Sequence, residues 1–225
     1  MGIDYELART KMVDNQIRTT DVTSHPVLRA FLTVSREDFV PARYRALAYS
    51  DADIPVTPEG GDARGPRYLM QPSPLAKLLQ LSDVKPDDVV LDVGCGVGYV
   101  SALLSLLASS VVALESDETL ATEAAETLSR LGYDNVAVVT GDLTKGYKPE
   151  APYDVIFIGG AVEVLPKSYF EQLRDGGRLV VVEGHGNASR ANLYVREGGI
   201  TSPRHGFNAS VKPLPGFEKQ EAFVF

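Results

Sequence analysis

The stretch that decides the fold is Val89-Val90-Leu91-Asp92-Val93-Gly94-Cys95-Gly96-Val97-Gly98-Tyr99. Its apolar residues, Val89, Val90, Leu91 and Val93, suit a strand covered on both faces. Gly94, Gly96 and Gly98 then permit a tight turn and the close approach of a ligand where a Cβ would collide. A helix from Tyr99 to about Leu107 follows, and its free N–H groups point at whatever lies over the loop. Three glycines in five residues cost backbone entropy that a bare turn does not offset. In open α/β sheets, such a loop after the first parallel strand is a nucleotide-binding position.

Outward from the loop, strand and helix alternate. Val111 to Leu114 is a strand ending in Glu115, and Asp117 caps a helix with Leu120, Ala124, Leu128 and Leu131 at helical spacing. Val136 to Val139 is a third strand, ending at Thr140-Gly141-Asp142, and Val155 to Ile158 is a fourth. Pro166 opens a helix through Leu173, and Asp175-Gly176-Gly177 turns into a fifth strand, Leu179 to Val182. This alternation predicts an α/β, doubly wound, mostly parallel sheet with helices on both faces. Asn192 to Arg196 and Glu221 to Phe225 are predicted as strands of an antiparallel C-terminal edge.

Upstream, residues 4 to 20 predict a polar-faced helix with Met12, Val13 and Ile17 turned inward. Thr23 or Ser24 caps a second helix with Pro26 in its first turn, and Val27, Leu28, Phe31 and Leu32 form its buried face. Glu37 to Ala48 reads as a turn and a short helix packing Phe39, Tyr44 and Leu47. These pieces form an N-terminal helical appendage. Asp53 to Pro66 is a long loop rich in Pro, Gly and charge, a type that tends to be functional. A helix over Ser73 to Leu81 then leads to the first strand of the core.

The chain of 225 residues is long enough for a full core, and its formal net charge of −8 comes without any Lys/Arg cluster. That balance argues against a nucleic-acid partner. The only cysteine, Cys95, allows no internal disulfide and reads as a small filler of the loop. His25, His185 and His205 are dispersed and carry no metal-ligand spacing. No apolar run reaches membrane-spanning length, and Met1 to Glu6 resembles neither a signal peptide nor an acylation site, so the chain reads as cytoplasmic.

Spacing separates two ligand classes. A dinucleotide fingerprint, G-x-G-x-x-G, fails at Tyr99 when counted from Gly94 and meets Ser101 when counted from Gly96. Glu115, at the end of the second strand, suits a bidentate hydrogen bond to two ribose hydroxyls. Asp142, at the end of the third, is placed to accept from an adenine amine or to form its own turn. The order Asp92-x-Gly94-x-Gly96-x-Gly98 resembles the first motif of the Rossmann-like S-adenosyl-L-methionine-dependent methyltransferases. In that class the strand-end acid orders the loop and helps hold the amino-acid part of the cofactor.

Further segments narrow the resemblance. Met12 to Arg18, Arg36-Glu37-Asp38-Phe39-Val40-Pro41, Leu47-Ala48-Tyr49, Gly141 to Tyr147, Ala151-Pro152-Tyr153-Asp154 and Pro166 to Val182 are similar to the protein-L-isoaspartate O-methyltransferase family. The resemblance covers about residues 10 to 185. It implies S-adenosyl-L-methionine as cofactor, with S-adenosyl-L-homocysteine as product. It also implies Gln71, Asp92, Gly94, Cys95, Gly96, Gly98, Glu115, Ser116, Asp142 and Leu143 as its contacts, and no metal.

The family's acceptor loop has the form Gly-x-Gly-Gln-Thr-Ile-Ser-Gln-Pro, with the serine hydroxyl at the reacting centre. Here Gln71-Pro72 align, so Met70 stands at the serine's position and the Gln-Thr pair is missing; Ser73 falls beyond the proline. The catalytic side is thereby unassigned, and the stretch Pro58 to Met70 is rewritten. Arg64 and Arg67 are candidates to hold an acceptor carboxylate. His185 is a candidate substrate contact, and Tyr68 and Tyr99 are candidate walls.

The implied function is O-methylation of a protein or peptide carboxylate, with monomer or homodimer both open. A small-molecule acceptor and a non-catalytic cofactor-binding protein are the alternatives. The chain is read as one domain, with the appendage and acceptor loop over 1–85, the cofactor core over 86–185 and edge strands over 186–225.

Overall fold

A computed structural model describes residues 2–57 and 65–219. Its elements are α1 (Tyr5–Met12), α2 (His25–Thr33), β1 (Ile54–Pro55), β2 (Tyr68–Leu69), α3 (Pro72–Ser82), β3 (Val89–Val93) and α4 (Tyr99–Ser105). They continue with β4 (Ser110–Glu115), α5 (Glu118–Arg130), β5 (Val136–Thr140), β6 (Tyr153–Val162), α6 (Ser168–Glu171), β7 (Leu173–Glu183), β8 (Arg190–Glu197) and β9 (Ile200–Asn208). Seven strands form one sheet in the order β5-β4-β3-β6-β7-β8-β9. The pairs from β5 through β7 are parallel, and β7-β8 and β8-β9 are antiparallel. The chain reverses its direction of winding between β3 and β6, and the crevice beyond the carboxyl ends of those strands is where ligands of such sheets sit.

Alternation along the central strands sends side chains to two apolar layers. Val90, Val111, Val155, Phe157 and Val180 face the layer built with α2, α3, α4 and α5, into which Met12, Val13 and Ile17 also pack. Leu91, Val93, Leu114, Ile156, Ile158 and Leu179 face the other layer, closed by Leu143, Tyr169, Leu214 and Phe217. The second face has little helix. Only four residues, Ser168–Glu171, are α-helical where a helix from Pro166 through Leu173 was expected. Residue 173 already opens β7, and Asp175-Gly176-Gly177 lies within that strand as an irregularity of register instead of preceding it.

Other expectations shift for identifiable reasons. The first helix passes at Val13–Ile17 into a π-helical turn, which keeps Met12, Val13 and Ile17 buried together. The N-terminus of α2 is not capped by its own Ser24 side chain. Gln80 on α3 reaches across instead: its Oε1 accepts from Thr23 N and Ser24 N at 2.8 and 2.9 Å, and its Nε2 donates to Asp21 O at 3.0 Å. Leu32 and Leu47, expected inward, are exposed, because α2 is short and the second piece is a 3₁₀ turn (Ala42–Leu47) that shows only part of its surface to the core.

The edge strand β9 was not anticipated, since Pro203 and its polar neighbours hide its pattern. Glu221 to Phe225 lies outside the described residues. Among the described residues no helix is long and apolar enough to cross a membrane.

Replacing Gln80 by alanine leaves two backbone donors of the α2 entry without a partner. It is expected to lower stability by about 1–2 kcal/mol, read as a lower urea midpoint with an unchanged m-value.

Candidate functional site

The glycine loop follows β3 directly. Gly94, Gly96 and Gly98 have φ of +79°, +54° and +89°, so a side chain at any of the three would be strained. Gly94 N and Cys95 N donate to Leu114 O at 2.8 and 3.1 Å, which ties the loop to the end of β4. Gly159 on β6 closes the crevice from the other side. A Cβ there would come within 3.3 Å of Val93 O and 3.4 Å of Gly94 O.

Glu115 is the organiser of the loop. Its side chain is fully buried, with Oε2 accepting from Gly96 N at 2.8 Å. Its Oε1 accepts from Ser116 N at 2.7 Å, from Asp117 N at 3.1 Å and from the Arg67 guanidinium. Asp117 in turn caps α5, accepting from Thr119 N and Leu120 N. The loop-ordering role that the resemblance gave to Asp92 thus belongs here to Glu115. Asp92 bonds sideways, accepting from Ser101 Oγ on α4 at 2.6 Å, and its buried Oδ1 has no partner. Burial raises the Asp92 carboxyl to about 7, with Ser101 lowering it and the charge of Glu115 raising it further.

Asp142 sits at the end of β5 and is half exposed. It accepts from Thr144 N and Thr144 Oγ1 at 2.9 and 2.7 Å and pairs with Lys145 at 3.1 Å. The Thr144 hydroxyl, followed by Lys145, holds its carboxyl below the usual range. Asp142 therefore forms its own turn just beyond the carboxyl end of β5. Leu143 beside it is buried, and its carbonyl accepts from Tyr169 OH. Burial and the neighbouring carboxylates push the Cys95 thiol well up, which suits a packed filler and not a nucleophile.

On the acceptor side, Met70 is buried and shares a cavity with Asp53, Arg67, Tyr68, Gly94, Gly159, Lys212 and Leu214. The free space there is about 20 Å³, room for a water and far short of a nucleoside. Leu214 fills much of it, lying so close that a Cβ on Gly94 would come within 2.6 Å of its side chain. The tail that carries Leu214 docks on the end of β6 by backbone bonds: Ala161 N to Lys212 O and Leu214 N to Ala161 O, both 2.9 Å.

Gln71 heads α3, its N–H donating to Asp53 Oδ1 at 3.0 Å. Ser73 turns away from the cavity toward Asp51 Oδ1 and Gln16 O, so its hydroxyl does not replace the one missing at position 70.

Two residues with evident positioning roles escaped the sequence reading. Arg36 is completely buried, donating to Ala48 O at 2.7 Å and Met70 O at 2.8 Å while its guanidinium stacks over Tyr99. It fixes the end of β2 against the helix that follows the glycine loop. Lys212 places its ammonium 5.2 Å from the Tyr68 ring centroid, inside the cavity lining. The one sequence signal for Arg36 was its place in a segment shared with the family.

Other candidates move. Arg67 faces Glu115, not an open acceptor space, and Tyr99 is core packing between Phe31 and Phe39. His185 is exposed beside Glu163 in a neighbouring cavity of about 200 Å³. Arg64 lies outside the described residues.

A mostly parallel sheet with an acid-anchored glycine loop at its winding reversal is the architecture of a Rossmann-like methyltransferase. The profile of the protein-L-isoaspartate(D-aspartate) O-methyltransferase family matches residues 7–206. A protein-L-isoaspartate O-methyltransferase of Koribacter versatilis is 40% identical over 180 residues, covering 80% of this chain and 78% of its own length. One of Petrotoga mobilis is 37% identical over 183 residues, covering 81% and 83%.

Among solved structures, a protein-L-isoaspartate O-methyltransferase superposes with a TM-score of 0.80 at 26% identity, over 92% of this chain and 66% of that one. A Plasmodium falciparum protein described as such a methyltransferase in complex with S-adenosyl-L-homocysteine shares the fold, with a TM-score of 0.74 at 18% identity over 94% and 98%. The chain belongs to the protein-L-isoaspartate O-methyltransferase family.

Two outcomes follow from this geometry. Between about pH 4 and 7 the native chain keeps a proton on Asp92 that the unfolded chain has lost, so the stability this group contributes falls as pH rises through that window. Asp92→Asn is expected to flatten that part of the pH–stability curve and to raise the urea midpoint at pH 8. A Cβ on Gly96 meets no heavy atom within 4 Å, so the side chain of Gly96→Val projects into the space over the loop. This variant is expected to lose S-adenosylhomocysteine binding by calorimetry, with a lowered urea midpoint from the strain of a β-branched residue at φ +54°.

Proposed function

We propose that this chain methylates the free carboxylate of isoaspartyl residues in proteins or peptides, using S-adenosylmethionine bound over the glycine loop. The observation that carries the reading is the pair of buried acids, Asp92 and Glu115, flanking the half-buried Gly94 and Gly96, set beside a family match that spans both the cofactor core and the N-terminal appendage. The residues present suit the cofactor. Asp92 offers a buried carboxylate oxygen without a partner, fitted to the ammonium of its amino-acid part. Glu115 suits the ribose and Asp142 the adenine amine, with Gln71, Gly94, Cys95, Gly98, Ser116 and Leu143 around them. When bound, the cofactor supplies an electrophilic sulfonium methyl.

An acceptor carboxylate is already ionised at neutral pH, so no general base is needed. What the chain must supply is alignment and exclusion of water. Arg36 holds the Met70 backbone in register, while Met70 and Leu214 present apolar surface at the crevice. The packing of α1 and α2 into the layer shared with α3 and α4 supports reading 1–225 as one domain.

Met70 in place of the hydroxyl-bearing residue favours a second reading, the same chemistry on a different acceptor. The test is transfer of labelled methyl to an isoaspartyl peptide beside its aspartyl twin. Base-labile label is expected on the isoaspartyl peptide alone, and Met70→Ser is expected to raise the rate. Absence of label from protein that binds S-adenosylhomocysteine would turn the search to another acceptor.

A further inference from the structure

Arg67 and Glu115 form an ion pair with both side chains out of water, 7% and 0% exposed. An ionised carboxylate has about four lone-pair positions. Three backbone donors, Gly96 N, Ser116 N and Asp117 N, and the Ser116 hydroxyl already use Glu115, and Arg67 is the one cation among its partners. Arg67 lines the crevice beside Gly94 and Gly96, whereas Glu115 behind it has no exposure, so ribose hydroxyls cannot reach the carboxylate while Arg67 stays. The guanidinium also lies over the loop, with Nη1 3.5 Å from where a Gly94 Cβ would stand. Arg67 occupies the place on Glu115 that the cofactor needs.

Once displaced, the guanidinium needs an anion. Arg67 leads into β2 and lies three residues before Met70, so it stays beside the acceptor cavity. That cavity already carries a second cation, Lys212. Its one carboxylate among the described residues, Asp53, has Oδ1 engaged by Gln71 N. With Arg67 released from Glu115, the lining would carry two cations against one carboxylate, a balance suited to an anion from outside.

We propose that Arg67 is a placeholder for the cofactor's ribose on Glu115, and that its displacement turns it into the specificity residue that clamps the acceptor's carboxylate. Binding is then ordered, cofactor before acceptor, and each ligand raises the other's affinity by the same factor. The clamp half rests on the isoaspartyl reading above; the placeholder half does not.

The experiment is calorimetry with S-adenosylhomocysteine and an isoaspartyl peptide on wild type, Arg67→Gln and Arg67→Lys, each checked for folding by its urea midpoint. Arg67→Gln puts the residue of the family pattern at this position. It is expected to bind S-adenosylhomocysteine at least tenfold more tightly, because the competitor for Glu115 is gone, and to bind the peptide at least tenfold more weakly. Arg67→Lys keeps a charge and is expected to fall between.

In wild type the peptide is expected to bind at least tenfold more tightly with S-adenosylhomocysteine present, and in Arg67→Gln this linkage is expected to vanish. Unchanged or weaker S-adenosylhomocysteine binding by folded Arg67→Gln overturns the placeholder, whatever the acceptor. Tighter binding by that variant, with no peptide bound or methylated by wild type, upholds the placeholder and overturns the clamp together with the isoaspartyl reading.

Discussion

The structure depends on one buried carboxylate. Glu115 ends β4 with no exposure to solvent, and a charge placed there must be surrounded by donors. The donors it gathers come from three separate pieces of chain: Gly96 in the loop after β3, Ser116 and Asp117 at the entry to α5, and Arg67 ahead of β2. Satisfying one anion therefore fixes the glycine loop, the start of a helix and the end of the acceptor segment at once. Hydrogen bonds to a charged group are worth more than neutral ones, and losing them in a dry site costs the full desolvation of the anion.

A second buried ion does similar work on the acceptor side. Arg36 is enclosed between the N-terminal segment and α4, tying Ala48 O and Met70 O to one guanidinium. The appendage thus helps frame the crevice, since it carries the cation that holds the Met70 backbone. Asp92 completes the set from β3. Its oxygen without a donor sits where the winding of the sheet reverses, and complete burial there is what raises its carboxyl.

The parallel core was legible because its physics is local and periodic. Central strands buried on both faces read as apolar runs, and Asp117 announces its helix by a side-chain cap. The glycine loop and its two acids were legible for the same reason, since positive φ and charge at strand ends leave marks in composition. What stayed hidden was tertiary. Gln80 caps a helix more than fifty residues away, and Arg67 finds its partner across forty-eight positions of sequence. β9 carries Pro203, Arg204 and His205, so its strand character comes from pairing with β8 and not from its own pattern. The short helix after Pro166 was overestimated because β7 claims Leu173 for the sheet.

The tail that bears Leu214 is fastened to β6 through main-chain groups: Ala161 with Lys212 and Leu214, and Glu163 N and Val164 N with Phe217 O. Bonds of that kind are indifferent to which side chains the tail carries. Residues facing the cavity can be exchanged while the attachment keeps its register, so this wall of the cavity is free to vary in chemistry without loosening the sheet beneath it. A fixed floor under an exchangeable roof is the arrangement such a fastening permits, and it makes this segment a natural place to graft new cavity chemistry.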